Sequence, residues 1–237
     1  MPRDIRGPIA TVLFAALAVG CGDGNANAAS REAKAGSAPP QAQATAATAS
    51  PSGTIDERVQ RADAARIKGD PSIKHWVIVV SDFQCPYCRT WHDRTAAQLE
   101  AEYVATGKVR LAYVHFPLGQ HQHARPAAEA SMCAGAQGKF WEMHDRIFAT
   151  VDEWSVLPTS EEHFARLARE IGLDVALYGQ CMRDDVMLPM IQADHDRSVA
   201  AGVNSTPSFI IGDQILSGAQ PIEQFRPAID KMLAGGK

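Results

Sequence analysis

A chain of 237 residues can form one large domain or two small ones, and 46% hydrophobic with 21% charged residues is the composition of a soluble globular protein. The net charge of −4 at pH 7 gives no sign of a nucleic-acid partner. The five cysteines are an odd number, so at least one has a role outside an intramolecular pair.

The amino terminus has the pattern of an export signal. Arg3 and Arg6 precede an apolar run over residues 9–19, which is too short to remain a membrane-spanning helix but suits a signal peptide. Residues 17–21 are similar to a bacterial lipobox, in which Cys21 becomes the lipidated first residue. The alternative is an ordinary secretory signal cleaved a few residues later. Both alternatives predict export to the bacterial cell envelope, where the surroundings are oxidising.

The chain is expected to contain three segments. Residues 1–21 are the predicted signal peptide. Residues 22–54 are mostly Ala, Gly, Ser, Thr, Gln, Pro and Asn, and such a segment buries too little apolar surface to offset its ordering entropy, so we predict a flexible tether. Residues 55–237 are expected to form the folded domain, beginning with a short helix over residues 55–67.

An apolar strand that leads into a cysteine pair is the most informative stretch. The run over residues 75–83 is rich in β-branched side chains and predicts a buried central strand. Pro86 suits the first turn of a helix, where its missing N–H costs nothing, so a helix is expected over residues 86–106. Cys85 should then stand exposed at the amino end of this helix, with Cys88 one turn further in and shielded.

This placement predicts two thiols of different reactivity. Unpaired N–H groups and the positive end of the helix dipole favour a thiolate and can lower a cysteine pKa from about 8.5 to about 3.5–7.5. Cys85 is therefore the candidate nucleophile and Cys88 the resolving thiol of a redox pair. The alternative is a metal site that adds a histidine such as His92, but a structural zinc site needs four ligands and the chain has no second CxxC. We expect no metal and no cofactor.

The order strand–helix–strand around the cysteine pair predicts a βαβ unit with parallel strands, the second over residues 109–116. A block without strands follows. Its helices are expected over residues 124–137, 139–151, 160–171, 175–183 and 186–201. Strands over residues 208–212 and 214–217 then predict a hairpin, and residues 221–233 a final helix.

Three motifs, in the right order, resemble the DsbA-like branch of the thioredoxin superfamily. Residues 81–89 (SDFQCPYCR) hold the cysteine pair, residues 133–141 (CAGAQGKFW) are similar to the start of the family's inserted helical domain, and residues 202–212 (GVNSTPSFIIG) to its cis-proline loop and following strand. The resemblance covers the chain from about residue 67 onward. It implies an α/β, thioredoxin-like fold with an all-helical insertion over about residues 118–201.

The resemblance also implies supporting roles around the cysteine pair. Pro207 is expected to follow a cis peptide bond, which leaves the backbone of Thr206 free to pair with an extended client protein. Pro86 and Tyr87, between the cysteines, set the redox poise. Because Tyr87 offers no imidazolium to stabilise a thiolate, we expect a moderate oxidant.

One departure from the family concerns the buried acid. Many relatives carry an acidic residue six positions before the first cysteine, where this chain has Val79. Asp82 is acidic but lies nearer the loop, and it is either a proton acceptor or a turn residue. His121 and His123 are expected in a solvated loop.

Cys133 and Cys181 are candidates for a structural disulfide. They lie on separate predicted helices, 48 positions apart, and a bond there would stabilise the domain by about 4 kcal/mol through the entropy of the unfolded chain. The alternative is a pair of buried free thiols.

The leading functional hypothesis is an exported thiol–disulfide oxidoreductase that introduces disulfides into client proteins. Its expected partners are unfolded or partly folded proteins with cysteines, a membrane redox partner that restores the disulfide, and the membrane itself through the lipid anchor. A disulfide reductase or isomerase is the first alternative. A metal-binding lipoprotein that uses Cys85, Cys88 and a histidine is the second.

Overall fold

Five strands form one mixed sheet in the order β1-β3-β2-β4-β5. The structure is a computed structural model that describes residues 53–235, so the predicted signal peptide, Cys21 and nearly all of the predicted tether lie outside the described residues. The strands are β1 Ile67–Lys68, β2 Trp76–Ser81, β3 Arg110–His115, β4 Ser208–Ile211 and β5 Gln214–Ser217. No helix among residues 53–235 is long and apolar enough to cross a membrane.

The central strand β2 is the one predicted from its β-branched run. It pairs in parallel with β3, with Val79 opposite Tyr113, as the βαβ prediction requires. On its other side it pairs antiparallel with β4, with Val79 opposite Phe209. Val79 is fully enclosed by these neighbours. The predicted hairpin of β4 and β5 is confirmed, and the two-residue strand β1 was not predicted.

Ten helices accompany this sheet among the described residues. They are α1 Ile55–Ala65, α2 Pro86–Trp91, α3 Ala97–Leu99, α4 Ala124–Gly135, α5 Phe140–Ala149, α6 Val151–Trp154, α7 Glu161–Glu170, α8 Val175–Arg183, α9 Leu188–Ala200 and α10 Ile222–Gly235. Two π-helical segments, π1 His92–Ala96 and π2 Glu100–Val104, join α2 and α3 into one continuous helical run over residues 86–104, called here the active-site helix. The predicted helices are present, and the short α6 was not predicted.

The helices α4 to α9 all lie between β3 and β4 in the chain. They form the helical domain that is inserted into the sheet, as expected from the family resemblance. An aromatic cluster packs α5 against the strands: the ring of Phe83 lies 5.3 Å from Tyr113 and 4.9 Å from Phe148, measured between centroids. Burial of large aromatic rings is the largest source of apolar stabilisation in such a core.

Helix α1 has a structural role that the sequence does not reveal. Thr54 and Glu57 form a reciprocal capping box at its amino end. Ala62 is fully buried against α4, where a side chain on Gly135 would come within 3.3 Å of the Ala62 Cα atom. The helix therefore covers part of the inserted domain and belongs to the folded unit.

Candidate active site

Cys85 is the residue that begins the active-site helix. Its φ and ψ angles of −75° and 122° are extended, and Pro86 takes the first helical position, as predicted. The N–H groups of Tyr87 and Cys88 therefore have no partner one turn earlier in the helix, and they help to lower the pKa of Cys85. The local sequence alone accounts for this arrangement.

The exposure predicted for Cys85 is wrong. Cys85 is only 4% exposed, because the loop before β4 lies over it and the carbonyl oxygen of Thr206 is 3.4 Å from its Sγ atom. Tyr87, two positions further on, is 65% exposed. The sulfur therefore lies in a cleft between the helix start and the Thr206 loop.

The two thiols differ strongly in acidity. A hydrogen bond from Cys88 is the main cause that lowers the pKa of Cys85 to about 6, and the backbone N–H groups of the first helical turn add to it. Burial raises the pKa of Cys88 well above its ordinary value, since Cys88 is almost completely enclosed. At neutral pH the reduced pair therefore holds one thiolate, on Cys85, and one thiol, on Cys88.

Asp82 connects the cysteine loop to the chain after β3. Its backbone N–H donates to the Cys88 Sγ atom at 3.4 Å, and its carboxylate accepts hydrogen bonds from the backbone N–H groups of Gln84 at 2.7 Å and Leu118 at 2.8 Å. Burial raises its pKa although these donors oppose the shift. The Gln84 contact is that of a turn residue, and the Leu118 contact extends this role to a second loop.

His121 and His123 do not lie in a solvated loop as expected. The Nδ1 atom of His121 is 2.8 Å from the buried carboxylate of Asp82. His123 is buried, with its backbone N–H donating to the side-chain oxygen of Gln84 and its Nε2 atom 2.8 Å from the carbonyl oxygen of Leu157. All three contacts join residues more than 30 positions apart, so no local pattern indicates them.

A groove of about 600 Å³ runs beside Cys85 between the active-site helix and α6. Pro86, His121, Val151 and Ser155 contribute to its walls. An ion pair between Arg89 and Asp152, at 2.8 Å, bridges the two sides. The groove gives the thiolate a neighbouring surface on which part of a polypeptide can lie.

The structure contains two further predicted features, a cis peptide bond and a disulfide. The peptide bond between Thr206 and Pro207 is cis, and Cys133 and Cys181 are joined by a disulfide between α4 and α8. Cys85 and Cys88 are free thiols. The structure therefore separates one bonded pair inside the helical domain from one reactive pair at the sheet.

Comparisons with known proteins agree with this geometry. The thioredoxin family model matches residues 61–231. A probable disulfide bond formation protein D of Bacillus anthracis is 28% identical over 174 residues, which cover 70% of this chain and 76% of that protein. The solved structure of alpha-DsbA1 from Wolbachia pipientis has a TM-score of 0.64 at 23% identity, over 72% of this chain and 91% of that one.

A different kind of relative shows that this domain also occurs within longer proteins. The Na(+)/H(+) antiporter NhaA 3 of Salinispora tropica is 30% identical over 176 residues, which cover 74% of this chain but 26% of that protein. The chain thus spans about a quarter of that relative's length.

The chain belongs to the thioredoxin family, and its fold, with a helical domain inserted into the sheet, is that of the DsbA proteins. The resemblance carried by the three sequence motifs is confirmed.

Proposed function

We propose that this chain is a thiol–disulfide oxidoreductase that transfers a Cys85–Cys88 disulfide to client proteins with pairs of cysteines. The observation that carries the proposal is the contrast within the pair: the pKa of Cys85 is lowered to about 6, whereas that of the enclosed Cys88 is raised. A cysteine with a stable thiolate is a good leaving group, so Cys85 is released readily from a mixed disulfide with a client. A disulfide donor requires this release.

The transfer takes two balanced steps. A client thiolate attacks the Sγ atom of Cys85 in the oxidised pair, which breaks the bond to Cys88 and leaves Cys88 as a thiolate that takes up a proton. The second client thiolate then attacks the client sulfur of the mixed disulfide and releases Cys85 as its stable thiolate. The client has lost two electrons and the Cys85–Cys88 pair has gained them.

The low pKa of Cys85 favours the reduced form of the pair, so the exchange is expected to run toward oxidation of the client. A thiol with a pKa of about 6 is mostly ionised at pH 7. Relative to an ordinary cysteine this stabilises the reduced form by about 1.4 kcal/mol, or roughly 30 mV for a two-electron couple. The pair is therefore a moderate oxidant, as Tyr87 between the cysteines also leads us to expect.

The site suggests how an extended client would be held. The loop at Thr206 places backbone groups directly over the Cys85 sulfur, and the groove beside Pro86 continues from that point. A client strand that pairs with the Thr206 backbone would present its cysteine to Cys85. Pro86, Tyr87, Pro207 and Asp82 support the site without exchanging electrons.

We further propose that the protein works in the bacterial envelope. Residues 1–21 serve as an export signal, lipid on Cys21 anchors the chain, and residues 22–54 tether the domain over residues 55–237 to the membrane. A membrane redox partner restores the disulfide after each turnover. These proposals follow from the sequence pattern, because the segments concerned precede the described residues.

The function is tested by mixing the oxidised protein with an unfolded client that carries two reduced cysteines. We expect it to oxidise the client faster than it rearranges a scrambled one, and we expect C85S to be inactive. Mixed with a client that already holds a disulfide, C88S should instead accumulate a mixed disulfide. Its Cys85 thiolate attacks the client bond, and no Cys88 thiol is present to resolve the product. Trapping the protein in cells by acid quench and thiol labelling should show mainly the oxidised pair; a mainly reduced pair would indicate a reductase or isomerase.

A further inference from the structure

A group of metal-ligating side chains lies between the active-site helix and helix α5. Within residues 53–235, His92, His144 and Asp145 are three such residues whose ligand atoms all lie within 4.8 Å of one another. None of the three has a role in the disulfide exchange proposed above. No metal was expected from the sequence because the chain has no second CxxC, and the 52 positions between His92 and His144 leave no local pattern that joins them.

We propose that His92, His144 and Asp145 bind one Zn²⁺ ion. The Nε2 atom of His92 is 3.3 Å and the Nδ1 atom of His144 is 2.8 Å from the same carboxylate oxygen, Asp145 Oδ1. Three potential donor atoms therefore converge on one point. Two imidazole nitrogens with one carboxylate form a typical zinc ligand set, whereas Ca²⁺ and Mg²⁺ prefer ligand sets made of oxygen.

The ligands are already oriented by their surroundings. The remaining ring nitrogen of His92, Nδ1, lies 2.9 Å from the Asp93 carboxylate, which is the carboxylate–histidine contact that fixes zinc-bound imidazoles in proteins. The ring of His92 stacks on Phe148 at 4.8 Å, and the side chain of His144 is only 5% exposed. Little side-chain entropy is therefore lost when the ion binds.

The site has both an entrance and an open coordination position. The side chain of Asp145 is 60% exposed, which gives an ion access from solvent. The three ligands line a cavity of about 510 Å³ that has space for a water molecule as the fourth ligand. The cation in the cavity wall, Lys68, is paired with Glu100 at 2.7 Å, so its charge is balanced.

The ligands come from two parts of the fold. His92 opens the segment π1 of the active-site helix, four positions after Cys88, and His144 with Asp145 belong to α5 of the inserted helical domain. Departures from α-helical geometry of this kind are frequent at functional sites. A bound ion would join the active-site helix to the helical domain and would resist their separation.

The test is a calorimetric titration of Zn²⁺ into protein without a polyhistidine tag, with Cys85 and Cys88 oxidised so that no thiolate competes. We expect one ion per chain, a rise in melting temperature on binding, and no displacement by excess Ca²⁺. His92→Ala and Asp145→Asn should each weaken binding at least tenfold, and Asp93→Asn by about 10–100-fold. Both Asp145 and Asp93 are solvent-accessible, so these variants should fold.

The matched control is His195→Ala, because His195 also contacts the aspartate that follows it, Asp196, at 3.3 Å. This variant should bind Zn²⁺ as the unaltered protein does. The proposal is overturned if the unaltered protein takes up no Zn²⁺, or if His92→Ala and Asp145→Asn bind as tightly as His195→Ala. Since the titration uses the oxidised protein and reads only metal, its result is independent of the proposed disulfide exchange.

Discussion

The Sγ atom of Cys85 lies 3.4 Å from the carbonyl oxygen of Thr206, across 121 positions of sequence. The contact leaves the reactive sulfur in a cleft and not on an open helix end. Under the proposed function, a client would reach the sulfur along the Thr206 loop and the groove beside it.

The acidity of Cys85 predicts how the reduced protein reacts with an alkylating reagent. Only the thiolate reacts, and the pKa of Cys85 is about 6, so its labelling rate should fall about tenfold per pH unit below pH 6 and level off above it. Mass mapping of the labelled peptides at each pH provides the measurement. Cys88 should stay unlabelled on the same timescale because burial keeps it protonated. Faster labelling of Cys88 would reverse the assignment of nucleophile and resolving thiol.

The bond between Cys133 and Cys181 should survive treatment that reduces the active-site pair. Both residues are buried within the helical domain, so a mild dithiol reaches them slowly. Replacing both by alanine should lower the free energy of unfolding by about 4 kcal/mol. Denaturant unfolding of the double variant measures this loss, with the C85S/C88S double variant as the control that keeps the structural bond. Recovery of free Cys133 and Cys181 from exported protein would contradict the prediction.

Asp82→Ala should destabilise the fold. The buried carboxylate accepts the N–H groups of Gln84 and Leu118, and both lose their acceptor in the variant. We expect a loss of about 1–3 kcal/mol in the free energy of unfolding, measured with denaturant. Asp213→Ala, in the exposed turn between β4 and β5, is the control and should change little. Equal stabilities of the two variants would show that the Asp82 carboxylate does not hold the two loops together.

A buried carboxyl in the helical domain predicts a pH dependence of stability. Glu129 is buried, its Oε1 atom has no hydrogen-bond partner, and burial raises its pKa to about 7. Between about pH 4.3, its ordinary pKa, and pH 7 the folded protein binds a proton that the unfolded chain has lost. The contribution of Glu129 to stability should therefore fall as the pH rises through this window. The buried His115 and His144 contribute in the opposite direction, because burial lowers their pKa values to about 3 and about 4.

Glu129→Gln removes this one contribution, so its stability relative to the unaltered protein should increase as the pH rises from 5 to 8. At pH 8 the variant should be more stable than the unaltered protein, by on the order of 2–3 kcal/mol. Thermal unfolding from pH 5 to pH 8 measures both proteins. A stability difference between the two proteins that stays constant from pH 5 to pH 8 would show that Glu129 does not titrate in this window.

The sequence by itself determined the features that depend on neighbouring residues. The β-branched run before Cys85 requires a strand, and Pro86 after it starts a helix, so the order strand–cysteine–helix follows from local sterics and hydrogen bonding. Because the chain has only five cysteines, the sequence left Cys133 and Cys181 as the candidates for a second pair. The family resemblance then supplied the cis bond before Pro207, which cannot be inferred from the local residues alone.

Only the tertiary structure decided the contacts between distant segments. It brought Thr206 over Cys85, and it set His121 against Asp82, which local reasoning had left in solvent. It also brought His92 to Asp145, 53 positions away. Such contacts depend on how helices and strands pack in the folded protein. The residues next to a side chain in the sequence are the same whether that side chain lies in solvent or against a distant partner, so they do not predict the contact. The low pKa of Cys85 depends on both local sequence and tertiary structure. The helix start that supplies N–H groups is local, whereas the burial that keeps Cys88 protonated is produced by the whole fold.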